Sequence, residues 1–356
     1  MCWEYYHLRI SMLTMSRVMR SIRPLPSLSR AYCSAGAKSS KSQSRYVPRR
    51  ALLYVPGSSQ KMLGKVPNID VDCLVLEMED GVASNAKVEA RKNIRKYLDE
   101  LPTKPKHKCF ELGVRVNSIA SQLLYDDVQE LAKAEILPDA FMIPKVDSID
   151  DLAAIFDIFR SLYGADRVTN TDTRMVIWIE SARALLDAPR ILNAAVNMHK
   201  SAGFFKIDAV VFGSDDYCAD IGAIRTKEAT ENIYARQRFL ACCKAFRLQA
   251  IDSVFIDIKD TEGLRRQCDE GAAWGFDGKQ VIHPTQIPVV QEAFLPSTNR
   301  VEWAQQLMEE FAQYEKAGKG AFTFRGHMVD RPLLLQAMNI LLLKSGLRHS
   351  AEPDLA

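Results

Sequence analysis

From residue 50 onward, the apolar positions follow two alternating periods. Short apolar runs, typical of buried strands, are separated by longer stretches whose apolar residues recur every three or four positions, as in helices. The runs predict eight strands, at residues 50–56, 72–80, 110–117, 140–146, 174–181, 208–216, 250–257 and 279–284. Eight strand–helix repeats predict an α/β fold, a (β/α)8 TIM barrel. A doubly wound open sheet is the alternative, but it usually carries a G-x-G-x-x-G turn, and this sequence has none.

The segment after the eighth repeat has a different pattern. Residues 300–316 predict an amphipathic helix, and residues 331–345 predict another. Between them, Gly318, Gly320 and Gly326 flank Phe322 and Phe324, which indicates a mobile flap. We therefore expect a leader and disordered linker at 1–46, a barrel at 47–298, a C-terminal helical extension and lid at 299–346, and a disordered tail at 347–356.

Charge is distributed unevenly along the 356 residues, which carry a net charge of +3. Residues 1–50 contain ten Lys or Arg and one acid, Glu4, and many serines. This composition is typical of a mitochondrial transit peptide, with the matrix as destination and a cut after Tyr32 as a hypothesis. A merely disordered basic tail is the alternative. The remaining chain is mildly acidic, so we expect no nucleic-acid partner, and no segment is long enough to span a membrane.

Charged residues follow the predicted strands at the points where those strands end. In barrel enzymes the working side chains lie at the carboxyl ends of the strands. These ends carry Tyr54, Glu79, Asp80, Arg115, Lys145, Glu180, Asp215 and Asp216. Glu180 and Asp216 would lie on neighbouring strands, and two carboxylates completed by water and substrate suit Mg²⁺. A structural network of ion pairs is the alternative for these acids.

Eight motifs occur in an order that resembles the citrate lyase β-subunit-like branch of the HpcH/HpaI aldolase superfamily. They are LLYVPG, VLEMEDGVASNAKVEAR, VRVNS, IPKV, WIESARALL, VVFGSDDY, YARQRFLACCKAFRLQAID and GFDGKQVIHPTQI, and the resemblance runs from about residue 47 to beyond 330. It implies a barrel with a Mg²⁺ site, an acyl-CoA substrate and a homotrimer. It also implies that the C-terminal segment of one subunit caps the barrel of a neighbour.

The resemblance assigns roles to individual residues. Glu180 and Asp216 match the magnesium ligands. Arg115 matches the arginine that faces the reacting carbonyl and contacts substrate. Glu79 and Asp80 match the acidic pair of the catalytic site, which supports the waters of the metal.

Two lysines and one tyrosine match the CoA-contacting positions of the family. These are Tyr54, Lys61 and Lys65. Lys61 and Lys65 are four residues apart, so on a short helix they share a face and their ammonium groups suit CoA phosphates. Two ordinary surface lysines are the alternative.

The C-terminal segment contains Asp330, which matches the general acid or base that the lid delivers. From composition alone, Asp330 before Arg331-Pro332 is equally compatible with a helix cap. Relatives usually have Glu at Asp215 and Asp at Glu77, and we interpret both departures as tuning. His283 invites a catalytic interpretation, but a packed, hydrogen-bonded structural histidine is favoured.

The implied activity is Mg²⁺-dependent cleavage of (3S)-citramalyl-CoA into acetyl-CoA and pyruvate. A malate or β-methylmalate synthase, or a malyl-CoA thioesterase, could use the same residues. A metal-dependent aldolase acting on free acids would need no CoA site, and Lys61 and Lys65 argue against it. A barrel retained only for binding should have lost the acids or Arg115, which are present.

Overall fold

A computed structural model describes residues 47–316, 322–329 and 331–351. Eight parallel strands pair in chain order, and the eighth pairs with the first, so the sheet closes and the predicted TIM barrel is confirmed. The strands are β1 (Ala51–Pro56), β2 (Cys73–Glu77), β3 (Glu111–Arg115), β4 (Ala140–Ile143), β5 (Arg174–Ile179), β6 (Lys206–Phe212), β7 (Gln249–Asp252) and β8 (Gly278–Val281).

Helices connect the strands. Ser148, Ser181 and Asp260 each cap a helix by accepting a hydrogen bond from the backbone N–H three residues later, which satisfies a donor that the first helical turn leaves free. The helices of the barrel are α1 (Gln60–Leu63), α2 (Lys87–Asp99), α3 (Leu124–Leu131), α4 (Ile149–Tyr163), α5 (Ala165–Thr169), α6 (Ala182–Ala202), α7 (Ser214–Ile221), α8 (Ile233–Ala245), α9 (Thr261–Trp274) and α10 (Ile287–Ala293).

Successive side chains of each strand belong to two different apolar layers, as the two-residue period requires. One layer packs between sheet and helices and includes Leu53 and Val55. The other fills the barrel interior and comprises Leu52, Cys73, Val75, Ala140, Met142, Val176, Trp178, Ala209, Val211 and Ile251. Continuing the interior row toward the carboxyl ends of β2, β3 and β5 leads to Glu77, Arg115 and Glu180. The alternation therefore directs these polar side chains to the barrel mouth.

Ion pairs lie at the opposite, amino end of the barrel. Arg49, just before β1, donates from Nη2 to Glu111 Oε1 at 2.6 Å, and its Nη1 lies 2.9 Å from Asp208 Oδ1. Arg49 is completely buried, and a buried cation requires such partners. The charges at the amino end therefore neutralise one another within the fold. The candidate catalytic side chains lie at the carboxyl end instead.

Contacts separate Pro48–Leu295 from a second unit that begins at Pro296. This unit contains α11 (Thr298–Lys316), β9 (Phe322–Phe324), β10 (His327–Val329) and α12 (Arg331–Ala351). β9 and β10 form an antiparallel hairpin, whose two-residue turn has positive φ at Arg325 and Gly326, as tight hairpins need. Phe324 and Val329 are buried in a small core with residues of α11 and α12.

Two sequence expectations need correction, and two others concern residues outside the described ranges. Two strands end earlier than predicted. β2 ends at Glu77, and β6 ends at Phe212 because α7 begins at Ser214. The tail expected to be disordered from residue 347 is helical as far as Ala351. Residues 1–46 and Asp330 lie outside the described residues. Within the described part of the chain, no helix has the length and apolar character needed to cross a bilayer.

Candidate active site

The guanidinium of Arg115, at the end of β3, lies at the centre of the barrel mouth. Its Nη2 lies 2.6 Å from Glu79 Oε2 and 3.4 Å from Asp80 Oδ2, and its Nη1 lies 3.3 Å from Glu77 Oε2. The Arg115 side chain is 9% exposed. The orientation of the guanidinium group is thus fixed by carboxylates at the end of the neighbouring strand β2.

Two aromatic rings also contact the Arg115 guanidinium. The ring centres of Tyr54 and Trp178 lie 5.5 and 5.3 Å from its Cζ, within the range of cation–π contacts. The Tyr54 hydroxyl donates to Gln280 Oε1 at 2.5 Å. Burial is the main effect that raises the pKa of Tyr54, while Arg115 lowers it and Glu77 raises it. The phenol therefore remains neutral.

Glu79 and Asp80 are adjacent acids with opposite pKa shifts. Burial raises the pKa of Glu79 to about 7, although Arg115 and Lys145 act in the opposite direction. Burial has the largest effect on Asp80 as well and raises its pKa, but hydrogen bonds from Glu79 and Lys145 and the charge of Arg115 outweigh it, so the pKa is lowered. Of the two acids, Glu79 is therefore the one whose pKa lies closer to neutral pH.

Lys145 bridges the acids of two strand ends. Its Nζ lies 2.6 Å from Glu79 Oε1, 3.0 Å from Asp80 Oδ2 and 3.6 Å from Asp216 Oδ1. Its backbone has a φ of +52°, a left-handed conformation that costs a non-glycine residue energy and that clusters at functional sites. This lysine was among the strand-end residues identified from the sequence.

Lys145 contacts both Glu180 and Asp216: its backbone N–H donates to Glu180 Oε1 at 3.3 Å, and its Nζ lies 3.6 Å from Asp216 Oδ1. Glu180 follows β5 and is buried. Asp216 lies in the first turn of α7, and its side chain is 43% exposed. Burial raises the pKa of Glu180 well above its ordinary value against the influence of Arg115, and the Asp216 carboxylate raises it further. A cation between the two carboxylates would relieve this repulsion.

The donors at Glu180 and Asp216 fit magnesium. Both are carboxylate oxygens, the ligand type that Mg²⁺ prefers, and Mg²⁺ usually retains several waters beside one or two carboxylates. In the described ranges, no group of three or more His, Cys, Asp or Glu side chains is placed to hold a metal. The protein would therefore supply two ligands here, leaving positions for water and substrate.

Gly213 provides the space that Glu180 occupies. A Cβ at this position would lie 2.6 Å from Glu180 Cγ and 2.8 Å from both Cδ and Oε2. Real Cβ atoms essentially never approach other heavy atoms within 3.0 Å. A side chain at this position would therefore force Glu180 to shift, because the Glu180 side chain packs directly against the Gly213 backbone.

Asp215, the neighbour of Asp216, has a different partner. Its carboxylate pairs with Arg225, whose Nη2 donates to the backbone oxygen of Val254 at 2.6 Å. The two adjacent acids thus have separate cations, Arg225 for Asp215 and Lys145 for Asp216.

The remaining predicted residues follow the carboxyl ends of β1 and β8. Lys61 and Lys65 are exposed on the helical turn that follows β1, and the backbone from Gln60 to Lys65 remains hydrogen-bonded in helical fashion. His283 is exposed, not packed as expected. Its Nδ1 pairs with Thr285 Oγ1 at 2.8 Å, and its side chain caps a short helical turn.

Sequence reasoning missed three residues that contact the site: Gly213, Arg225 and Lys87, whose Nζ donates to the backbone oxygens of Met78 and Glu79. Gly213 interrupts an apolar run, a sign of close backbone approach that could have identified it. Lys87 is a cation at a helix start, which is an unusual position. No sequence signal identified Arg225, because its partner depends on how the loops after β6 and β7 meet.

Known proteins resemble this chain over most of its length. A family model described as HpcH/HpaI aldolase/citrate lyase matches residues 50–284. The chain is 45% identical over 311 residues to a Homo sapiens protein named citramalyl-CoA lyase, mitochondrial, covering 87% of this chain and 90% of that protein. A Rattus norvegicus protein of the same name is 42% identical, covering 96% of this chain and 100% of that protein.

A solved structure shares the fold. Protein CitE from Mycobacterium tuberculosis, in complex with magnesium, acetoacetate and coenzyme A, has a TM-score of 0.64 and 27% identity. The match covers 84% of this chain and 98% of that one. Since the family model spans most of the barrel and the curated relatives match over most of their length, this chain belongs to the HpcH/HpaI aldolase/citrate lyase family.

Proposed function

We propose that the protein is a Mg²⁺-dependent carbon–carbon lyase that cleaves (3S)-citramalyl-CoA into acetyl-CoA and pyruvate. The observation that carries the proposal is the pair of acids Glu180 and Asp216, which both contact Lys145, beside the guanidinium of Arg115. The named activity of the human and rat relatives supports this substrate. The CitE complex with magnesium and coenzyme A supports the metal and the acyl carrier.

Glu180 and Asp216 would hold Mg²⁺, which would act as a Lewis acid on the substrate. Cleavage breaks the bond between the hydroxyl-bearing carbon and the methylene next to the thioester. The hydroxyl proton leaves, the ketone of pyruvate forms, and the electron pair of the broken bond passes into the thioester as an enolate. Protonation of the enolate carbon completes acetyl-CoA.

Arg115 is the donor for the enolate oxygen in this proposal. Its Nη groups are already oriented by Glu77 and Glu79, so no reorganisation is needed when negative charge develops. Glu79, with a pKa of about 7, is suited to accept the hydroxyl proton at neutral pH. Asp80 and Lys145 balance the charge beside it.

The resemblance supports further parts of the proposal. Asp330, delivered by the C-terminal lid of a neighbouring subunit in a homotrimer, would protonate the enolate carbon. Tyr54, Lys61 and Lys65 would contact the CoA portion, and the two exposed ammonium groups suit its phosphates. The basic leader and the mitochondrial names of the relatives support import into the mitochondrial matrix.

The test is cleavage of citramalyl-CoA by the purified protein, with pyruvate measured through lactate dehydrogenase and acyl-CoA species by chromatography. Pyruvate and acetyl-CoA should appear in equal amounts, stop on addition of EDTA and return with MgCl₂. Asp216→Asn should abolish cleavage. Asp215→Asn is the matched control and should keep it, because Asp215 pairs with Arg225.

The alternatives give different products. Release of free CoA without pyruvate would indicate a thioesterase. Condensation of acetyl-CoA with glyoxylate, without citramalyl-CoA cleavage, would indicate a synthase, and cleavage of free citramalate would indicate an aldolase that needs no CoA. Absence of pyruvate from citramalyl-CoA in the presence of Mg²⁺ would overturn the proposal.

A further inference from the structure

Lys87 binds the backbone of the loop that carries Glu79 and Asp80. Its Nζ donates to the backbone oxygens of Met78 at 2.9 Å and Glu79 at 2.6 Å, and to Asn117 Oδ1 at 2.8 Å. An ammonium group has three donors, and all three are used. One side chain therefore ties the loop after β2 to the loop after β3.

The position of Lys87 is unfavourable for the helix that begins with it. Lys87 is the first residue of α2, and Ala86 before it supplies no side-chain cap. The positive end of a helix dipole disfavours a cation at this end. Its three bonds to the two loops are the interactions in the structure that offset this cost.

The Asn117 side of the bridge is itself anchored. Asn117 donates from its backbone N–H and from Nδ2 to Asp127 Oδ2, at 2.8 and 2.7 Å. Arg91, one helical turn after Lys87, donates from Nε to Asp127 Oδ1 at 2.8 Å. Asn117 and Asp127 are both buried. Lys87 thus binds an amide whose orientation is already fixed.

The two loops joined by Lys87 carry the two partners of the main ion pair. Met78 donates its N–H to the backbone oxygen of Arg115 at 3.0 Å, and Glu79 Oε2 lies 2.6 Å from Arg115 Nη2. Lys87 binds the backbone oxygens of the same two residues, Met78 and Glu79. Without it, two carbonyl groups lose their donor and the loop can move relative to Arg115.

We propose that Lys87 is a positioning residue that holds the Glu79 carboxylate against Arg115 for the cleavage step. The inference rests on the proposed function, because the reaction is the lyase reaction described above. Lys87 acts through the loop backbone, so its loss should lower kcat more than it weakens binding of the acyl-CoA. Displacement of a reacting group by about 1 Å can cost roughly 100-fold in rate.

The test compares Lys87→Met with Lys92→Met, which removes an exposed lysine of the same helix. Lys87→Met should lower kcat for citramalyl-CoA about 10- to 100-fold and change KM by less than about twofold. Hydrogen exchange at the amides of Met78 and Val82, which bond to Arg115 and Glu79 oxygens, should accelerate. Lys92→Met should match the wild type in each measurement.

Rescue separates the ammonium group from general damage to the fold. Lys87→Cys treated with bromoethylamine regains an ammonium on a side chain of nearly lysine length, and kcat should recover, while the wild type treated in the same way serves as control. If Lys87→Met does not fold, Lys87→Arg tests the same point, because a planar guanidinium cannot be surrounded by these three oxygens.

The outcomes distinguish the two proposals. Wild-type kcat in Lys87→Met, with unchanged exchange at Met78 and Val82, would overturn the positioning role. A wild-type enzyme that does not cleave citramalyl-CoA would overturn the proposed function instead, and the exchange measurement would still decide whether Lys87 holds the loop. An equal rise in KM and fall in kcat, without rescue, would indicate a general structural role and also contradict the proposal.

Discussion

Replacing Gly213 by alanine tests whether the Glu180 carboxylate holds the metal, without removing a charged group. The backbone of Gly213 has φ −89° and ψ 88°, outside the left-handed region, so the new methyl group acts by collision. It would lie 2.6 Å from Glu180 Cγ, whereas ordinary contacts begin near 3.4 Å. The Glu180 side chain must therefore retreat by about 0.8 Å.

This displacement is large for a metal ligand, since coordination distances are kept within roughly 0.2 Å. Changes to the groups that orient a ligand typically lower metal affinity about 10- to 100-fold. We expect a loss of this size for Gly213→Ala when Mg²⁺ alone is titrated into metal-free protein by calorimetry. The Mg²⁺ concentration for half-maximal pyruvate release should rise in proportion.

Gly64→Ala is the matched control. Its φ of −64° and ψ of −18° are helical, and its added Cβ would meet no atom closer than 3.5 Å, so its Mg²⁺ affinity should equal that of the wild type. A folded Gly213→Ala protein that binds Mg²⁺ with wild-type affinity would show that Glu180 is not a ligand.

Three other variants test the charged groups of the site. In Glu79→Gln, the free energy of unfolding without metal should rise more at pH 8 than at pH 5. Because burial raises the pKa of Glu79, the native state holds a proton that the unfolded state has lost, so ionisation of Glu79 costs stability as pH rises from about 4.5 through about 7. Denaturant unfolding at the two pH values measures this, and an equal gain at both would contradict it. Arg115→Lys keeps the charge but not the two-pronged contact, so kcat should fall about 100-fold or more in single-turnover assays; a fall below tenfold would exclude Arg115 as the main enolate donor. Lys61→Met combined with Lys65→Met should raise KM for citramalyl-CoA at low salt, leave kcat unchanged, and differ less from the wild type at high salt; Lys92→Met is the control, and an unchanged KM would exclude the phosphate contact.

The barrel was predictable because its signal is local and repeated. Eight apolar runs with helical stretches between them restrict the architecture, and closure between β1 and β8 agrees with that pattern. The strand ends were less predictable. Residues Gly213 to Asp216 continue the β6 run in the sequence, yet α7 begins at Ser214, because helix start and strand end compete for the same few residues.

The residues of the candidate site could be predicted from the sequence, but their ion pairs and pKa shifts could not. Strand alternation and the carboxyl-end rule placed Glu79, Arg115, Glu180 and Asp216 at one mouth. Which acid is raised in pKa and which is lowered depends on burial and on partners 35 to 66 residues away in the chain. No local pattern contains that information.

The sequence by itself determined the period of the elements, the rows that face the barrel interior and the side chains available at its mouth, since these follow from residue type and spacing along the chain. Only the tertiary structure decided that Gly213 leaves space for Glu180 and that Arg225 pairs with Asp215. It also decided that Lys87 binds the loop that carries Glu79 and Asp80. Each of these depends on the distance between atoms of different loops, which the strand register and the closure of the barrel fix together.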